Sequence, residues 1–410
     1  MHGVLVNEKK YARGKMKKTI RDVDWKNKVA IMRCDFNVPM TDGQITDDTR
    51  IKAAIPTIKY LIEKEAGIVI MSHLGRPKGN PNPDFSLKPV ADRLAEYLNK
   101  TKVTFVPSDN VVDSEVKEKV SSIKPGEIIL LENVRFRSEE EKNDKNFAKE
   151  LSTLGDIFVQ EAFGTAHRAH ASTTGIAEFI PAVSGFLIEK ELKFLGEAVE
   201  NPKKPFAAIM GGAKVADKIP VMTKLIEKVD MIFVGGGMLF TFLKAQGYEI
   251  GKSLLDEEGI IVAKDIMKLA SEQNVKFMLP VDVVCSDDFS NDSKFETVSI
   301  ESIPENMMGM DIGPKTINLY VEELKKANTV LWNGPMGVFE MSNFENGTKE
   351  IARCLAECNA TTIIGGGDSA AAAVKFGFAD KMTHISTGGG ASLEYLEGKI
   401  LPGIDVIDEK

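Results

Sequence analysis

Thiols and long apolar runs are scarce in this chain, and each shortage narrows its class. Four cysteines, Cys34, Cys285, Cys354 and Cys358, are spread over 410 residues, and no two have C-x-x-C spacing. That spread argues against a disulfide scaffold or a thiolate zinc site and fits reduced thiols in a cytoplasmic protein. Cys354 and Cys358 stand four apart on a helical stretch, but no second pair matches them. No apolar run reaches the ~20 residues of a membrane span, and none has the layout of a signal peptide. Basic charge is outweighed: the formal net charge is −8, which disfavours nonspecific nucleic-acid binding. The G-x-G-x-x-G fingerprint is missing, which argues against a nicotinamide-dependent oxidoreductase. Gly247–Ser253, GYEIGKS, falls one residue short of a P-loop, with Gln246 where the first glycine belongs.

What is present is a repeated strand–loop–helix pattern in a chain long enough for two domains. Strands are predicted at Val29–Arg33, Gly67–Met71, Val103–Val106, Glu127–Leu131 and Asp156–Val159. Helical runs such as Leu87–Asn99 and Lys145–Leu154 lie between them. A second series follows at Phe206–Met210, Met231–Val234, Val275–Leu279, Thr329–Trp332 and Thr361–Ile364. Phe186–Val199 joins the two series and has the apolar spacing of one long helix. Alternation of this kind predicts an α/β protein: two doubly wound parallel-sheet, Rossmann-like domains joined by a long helix, with a hinge-bending cleft for ligands. Residues 1–15 read as a disordered leader, residues 16–185 as the first domain, 186–200 as the joining helix and 201–385 as the second domain.

In the first half, charged side chains gather in the loops after strands. RCDFNVP places Asp35 and Asn37 at the carboxyl end of a strand, the usual ligand edge. DTRI puts Arg50 in a first helical turn, where a cation opposes the dipole and an anionic ligand would justify it. The plainer reading of Arg50 is a surface pair with Asp47 or Asp48. SHLGRP adds His73 and Arg76, NVRFR adds Arg135 and Arg137, and GTAHRAH adds His167, Arg168 and His170, so three of the five histidines fall here. Any one of these arginines is most often a solvated charge. Together they describe a basic basin for a small, highly charged anion, since guanidinium forks match phosphate and carboxylate oxygens.

The second half carries glycine turns. TTIIGGGDSAAAAVKFG (Thr361–Gly377) runs from a strand through Gly365, Gly366 and Gly367 into a helix. Such a turn presents free N–H groups to a phosphate, and Asp368 is placed to hold Mg²⁺ beside it. The competing reading is a plain β–α turn capped by Asp368, with Ser369 following. GGAKVADK sets Lys214 and Lys218 at i, i+4 on one helix face, a repulsive pair unless an anion lies between them. GGGM contributes Gly235 and Gly236, and DIGPKT a proline-started helix. LWNGPMGVFE contributes Asn333 and Glu340, the latter a carboxylate suited to ribose hydroxyls.

In order, RCDFNVP, DTRI, SHLGRP, NVRF, GTAHRAHAS, GGAKVADK, GGGM, DIGPKT, LWNGPMGVFE, GGGDSA and STGGGASLEYLEGK resemble the phosphoglycerate kinase family from about Thr19 to Gly403. The resemblance implies a glycolytic kinase moving a phosphoryl group reversibly from 1,3-bisphosphoglycerate to ADP. It implies that Asp35, Asn37, Arg50, His73, Arg76, Arg135 and Arg168 bind 3-phosphoglycerate. It implies a nucleotide side made of Lys214, Lys218, Gly235, Gly236, Gly309, Asn333, Glu340, Gly365, Gly366, Gly367, Asp368 and Ser369. Asp368 would hold Mg²⁺; Arg50, Lys214 and Gly389 would act at the transferred group, Gly389 lying in the Gly388–Gly390 loop. Residues 386–410 would return to the first domain. Gln160 and Glu161 stand where the family commonly has Asn and Asp, and Cys34 replaces a commonly aliphatic residue. A monomeric cytoplasmic enzyme with ADP/ATP and 3-phosphoglycerate as its partners, free of nucleic acid and membrane, is the expectation. The alternative is a noncatalytic binding or scaffold protein of the same fold.

Overall fold

The computed structural model describes residues 16–99 and 101–410 of the chain, so the leader expectation for residues 1–15 lies outside the described residues. The chain divides into two compact units. One runs up to Lys193 and includes Ile400–Lys410; the other is Phe194–Lys399.

The first unit is built on strands β1 (Val29–Arg33), β2 (Met40–Thr41), β3 (Gln44–Ile45), β4 (Gly67–Met71), β5 (Val103–Val106), β6 (Ile128–Leu131), β7 (Ile157–Gln160) and β8 (Ala182–Ser184). Six of them form one sheet in the order β5-β6-β4-β1-β7-β8, paired in parallel throughout. Both faces of the sheet are buried, which is why its strands read as unbroken apolar runs. On one face Ala30, Met32, Ile68, Ile70, Ile128 and Leu130 pack with Ile51 and Ile58 from helix Thr49–Glu63 and Leu94 from helix Lys88–Leu98. On the other, Ile31, Val69, Met71, Ile129 and Phe158 pack with Val116 from helix Ser114–Ser121 and Phe147 and Leu151 from helix Lys145–Ser152. Successive residues of one strand thus enter opposite layers, as a two-residue period requires. In register, Arg33 lies beside Met71 and beside Gln160, and Ile70 beside Leu130. The loops leaving β1, β4, β6 and β7 therefore emerge at one sheet edge.

The second unit contains β9 (Phe206–Met210), β10 (Met231–Val234), β11 (Lys276–Met278), β12 (Asp282–Ser286), β13 (Phe295–Ser299), β14 (Met308–Ile312), β15 (Thr329–Asn333), β16 (Thr361–Ile364) and β17 (His384–Ile385). Its main sheet has the order β11-β10-β9-β15-β16-β17, again parallel. Met210 is level with Val234 and Asn333, so the glycine turns after β9, β10 and β15 meet at one edge. A three-stranded antiparallel sheet, β13-β12-β14, is added to this unit. The strand prediction does not contain that sheet. Its β13 is largely exposed and lacks the apolar run that marks a buried strand. The short strands β8 and β17 are also unforeseen, being too brief to show a period.

The helix read as Phe186–Val199 extends over Phe186–Glu200, and the division between the units falls within it. The two expected Rossmann-like domains are thus present as two doubly wound parallel sheets.

Candidate active site

In the first unit, the shared edge of β1, β4, β6 and β7 concentrates guanidinium groups. Arg50, at the start of helix Thr49–Glu63, donates from Nη1 to both Asp35 oxygens at 2.9 and 3.0 Å and to the Asn37 carbonyl at 3.2 Å. The surface pairing weighed for Arg50 does not form: Asp48 instead pairs with Lys52 and Arg93 and accepts from the Tyr97 hydroxyl. Asn37 accepts the Gly75 amide at 2.8 Å, joining the β1 and β4 loops. His73 is buried, with Nδ1 3.3 Å from Arg33 Nη2 and 4.0 Å from Asp35. Burial, and then the nearby Arg33, Arg135, Arg50 and Arg168, hold its pKa well below 6.5. His170 is lowered to about 4 for the same reason, burial first and Arg135 next. Both rings are therefore neutral at pH 7 and offer hydrogen bonds, while the positive charge of the basin belongs to arginine alone.

Arg135 is buried and donates from Nη1 to the Gly75 carbonyl at 2.9 Å, with Nε 3.3 Å from Glu141. Its Nη2 donates to no protein group among the described residues. A buried guanidinium nitrogen without a partner is costly, and an anion at this edge would relieve it. Arg168 is half-buried, and its Nε donates to His167 at 3.2 Å. Arg76 is exposed in the loop after β4. Arg137 leaves the group: it pairs with Glu139 and Glu150 and lies over the Phe147 ring.

Arg33, quoted within RCDFNVP but given no role there, is fully buried. Its Nε donates to Ser172 Oγ at 2.7 Å, and Ser172 donates in turn to buried Glu140 at 2.6 Å. Only its place at a strand end could have signalled it, because an arginine's burial is not written in its neighbours.

Gln160 and Glu161, two of the departures from the family pattern, are both buried beneath this edge. Gln160 donates to the Thr173 carbonyl and accepts the Ala162 amide. Glu161 accepts the Thr57 hydroxyl at 2.5 Å and the Leu187 amide, at the start of helix Phe186–Glu200. The longer side chains are thus absorbed by backbone and hydroxyl partners.

In the second unit the glycine turns interlock. A Cβ on Gly211 would lie 2.0 Å from the Pro335 carbonyl oxygen, so only glycine lets the β9 and β15 loops touch. Asn333 donates to the Gly365 carbonyl at 2.9 Å, and its Oδ1 accepts the Lys218 ammonium. Ser369 Oγ accepts the Gly334 amide at 2.6 Å. Gly366, at φ +94°, turns the chain into helix Gly367–Lys375. Asp368 stands in the first turn of that helix, exposed, and does not cap it. Its carboxylate stays available, which counts against the plain-turn reading.

The helical pairing of Lys214 and Lys218 is corrected. Lys214 lies in an irregular exposed stretch, Lys218 ends the 3₁₀ turn Ala216–Lys218, and helix Ile219–Ile226 starts only there, with Pro220 in its first turn. Gly212, at φ +116°, delays the helix. Burial lowers the Lys218 pKa, against the pull of Asp368 and Asp217.

A cavity of about 470 Å³ opens beside these turns, with Gly212, Gly236, Asp368 and Glu340 on its polar side. Phe240, Met308, Met310, Met336 and Val338 make apolar walls, and Leu254 and Phe289 are 49% and 60% exposed. Gly309 lies against the Phe240 ring, where a Cβ would approach to 1.8 Å. Large exposed apolar groups around a cavity suit a planar apolar ligand part, with glycine amides at the other side for phosphates. These walls come from helix Met238–Ala245, strand β14 and the loops carrying Leu254, Phe289 and Met336, so no local pattern announces them. Gly389, at φ +48°, precedes the short helix Gly390–Leu396 and stands apart in open space.

A family model described as phosphoglycerate kinase matches residues 20–399. The phosphoglycerate kinase of Clostridium tetani is 56% identical over 395 residues, covering 96% of this chain and 98% of its own. That of Finegoldia magna is 53% identical over 394 residues, covering 96% and 100%. Among solved structures, phosphoglycerate kinase from Coxiella burnetii superposes with a TM-score of 0.87 at 43% identity, covering 96% of this chain and 99% of that one. The enzyme from Pyrococcus horikoshii gives 0.81 at 34% identity, covering 95% and 98%. With near-complete coverage in sequence and in fold, and with an arginine basin on one sheet edge and glycine turns on another, the chain belongs to the phosphoglycerate kinase family.

Proposed function

We propose that Arg50 and Lys214 flank the phosphoryl group that this kinase moves between the acyl phosphate of 1,3-bisphosphoglycerate and ADP. The reaction is that of the family. The observation that carries it is the gathering of Arg33, Arg50, Arg135 and Arg168 about one neutral histidine, with Asp35 as the carboxylate bound by Arg50. In a protein of net charge −8, such a gathering has a purpose only if an anion enters.

On this reading Asp35, Asn37, Arg50, His73, Arg76, Arg135 and Arg168 take 3-phosphoglycerate. Arg50 is already oriented by Asp35, so little freedom remains to be lost on binding. The nucleotide lies in the cavity of the second unit, its base between the apolar walls and its ribose at Glu340. Its phosphates meet Lys214, Lys218 and the amides of Gly235, Gly236 and Gly365 to Gly367. Ser369 and Asn333 hold those turns in place, and Gly309 leaves room for Phe240. The uncommitted Asp368 carboxylate fits Mg²⁺, which takes one or two carboxylates and completes its shell with phosphate oxygens and water. When bound, Mg²⁺ neutralises phosphate charge.

No general base is required, because the attacking ADP oxygen or 3-phosphoglycerate carboxylate is already ionised. Positioning and charge stabilisation do the rest. An acyl phosphate hydrolyses in water, so transfer calls for closure of the two units, with Gly389 and its loop reaching the phosphoryl group. We read the protein as a cytoplasmic monomer. Among the described residues no helix is long and apolar enough to cross a membrane.

Turnover of 3-phosphoglycerate with Mg-ATP tests the assignment. Arg50→Ala is expected to lose on the order of 100-fold in kcat or more. Asp368→Ala is expected to lose activity with Mg-ATP while still binding 3-phosphoglycerate. Near-normal turnover of Arg50→Ala would remove that residue from the transition state.

A further inference from the structure

Asn133 stands at the end of β6, fully buried, and reaches none of the basin itself. Its side chain makes three hydrogen bonds, two to the loop after β4 and one to its own turn. Nδ2 donates to the Leu74 carbonyl at 2.7 Å and to the Phe85 carbonyl at 2.9 Å. Those two carbonyls bracket the loop that carries Gly75 and Arg76. Oδ1 accepts the Arg135 amide at 3.0 Å, which fixes the 3₁₀ turn Val134–Phe136 and so the start of the Arg135 side chain. Neighbouring Glu132 completes the clasp. It accepts the Ser86 hydroxyl at 2.8 Å and the Leu87 amide at 2.9 Å, immediately before helix Lys88–Leu98, and also the Asn133 amide at 2.8 Å. The loop is tied back a third time, by Gly79 N–H to the Arg135 carbonyl at 3.1 Å and Arg135 Nη1 to the Gly75 carbonyl at 2.9 Å.

We infer that Asn133 is a positioning residue for 3-phosphoglycerate. One buried amide closes both ends of the Leu74–Phe85 loop and sets the turn bearing Arg135, so that Arg76 and Arg135 face the substrate as a pair. A carboxamide is needed because two donors and an acceptor must diverge from one planar group. Aspartate would set a carboxylate against two carbonyls. Serine would keep an acceptor for the Arg135 amide, as hydroxyls do in such turns, but lose both ends of the loop. This inference rests on the placing of Arg76 and Arg135 at 3-phosphoglycerate.

Steady-state kinetics on the full chain test it, with Asn133→Asp and Asn133→Ser beside Arg76→Ala and Arg135→Ala, and with amide exchange of residues 75–85 as the second measurement. For Asn133→Ser we expect KM for 3-phosphoglycerate to rise about tenfold, the scale of one lost anion contact. KM for Mg-ATP is expected to stay within twofold, and exchange in residues 75–85 to quicken. Asn133→Asp should be at least as impaired; if it does not fold, Asn133→Ser carries the test alone. Asn133→Ser with faster exchange but an unchanged KM for 3-phosphoglycerate overturns the inference. Equal losses in both KM values, with a lowered Tm, overturn it too, because they mark a merely structural role. If Arg76→Ala and Arg135→Ala leave that KM unchanged, the reading of the basin fails instead.

Discussion

Glu161 shows how a single buried carboxylate in this chain carries a pH signature. Burial pushes its pKa up to about 8 from 4.5, although the Thr57 hydroxyl and helix amides stabilise its anion. Between those two values the folded chain holds a proton that the unfolded chain has released. The contribution of Glu161 to stability is therefore full below about pH 4.5 and is lost as pH rises through 8. Glu161→Gln removes the titration while keeping the shape. Denaturant melts of both proteins from pH 5 to 8 should show the wild-type advantage over the variant shrinking steadily, by up to about 1.4 kcal/mol per pH unit. A constant difference would mean that the carboxylate stays ionised in the folded state. His73 and His170, lowered by burial and by the arginines, add an opposite slope below about pH 6.5, but the wild type and Glu161→Gln share it and it cancels in their difference.

Among the elements, the turn after β9 is the one whose sequence is dictated by contact rather than by its own conformation. Gly211 abuts the backbone of Gly334 and Pro335, and Gly236 abuts Gly212 in the same manner. Three strand ends are thus pressed together, and the nucleotide turns can keep their geometry only as a group. Gly211→Ala forces the β9 and β15 loops apart and is expected to destabilise the second unit by about 2–3 kcal/mol, the scale of an overpacked site. It should also raise KM for Mg-ATP while leaving KM for 3-phosphoglycerate alone. Thermal melts and the two KM values check this together. Ten of the twelve strands of the two main sheets are legible in the sequence within a residue or so, because strands buried on both faces must be apolar throughout. The edge strands β8 and β17 are too brief to show a period, and exposed β13 is left free by solvent to be polar.

At the scale of the whole molecule, the last residues belong to the first unit. Asp408 N–H donates to the Ala182 carbonyl on β8, Gly403 N–H to Ala166, and Lys18 N–H to the Asp408 carbonyl. Leu401, Ile404 and Ile407 are buried there. Removing 400–410 should lower the melting of the first unit by several degrees, as the loss of three buried aliphatic side chains implies. Nucleotide binding by the second unit should persist. Fluorescent-nucleotide titration beside calorimetry separates the two. Loss of nucleotide binding would show that the units do not fold independently.

The sequence by itself determined the two-sheet α/β architecture and the positions of most site motifs, because strand periodicity, glycine turns and strand-end charges are local properties. It also carried the family, through long motifs in a fixed order. Only tertiary structure decided which charges meet. Arg50 turned to Asp35 rather than to its neighbours, Arg137 left the basin, and Arg33 joined it from inside the sheet. Lys214 and Lys218 do not share a helix face, because the helix starts only at Ile219. The cavity walls and the Asn133 clasp join residues far apart in the chain. Such contacts are set by strand order and register, which no single stretch of sequence contains.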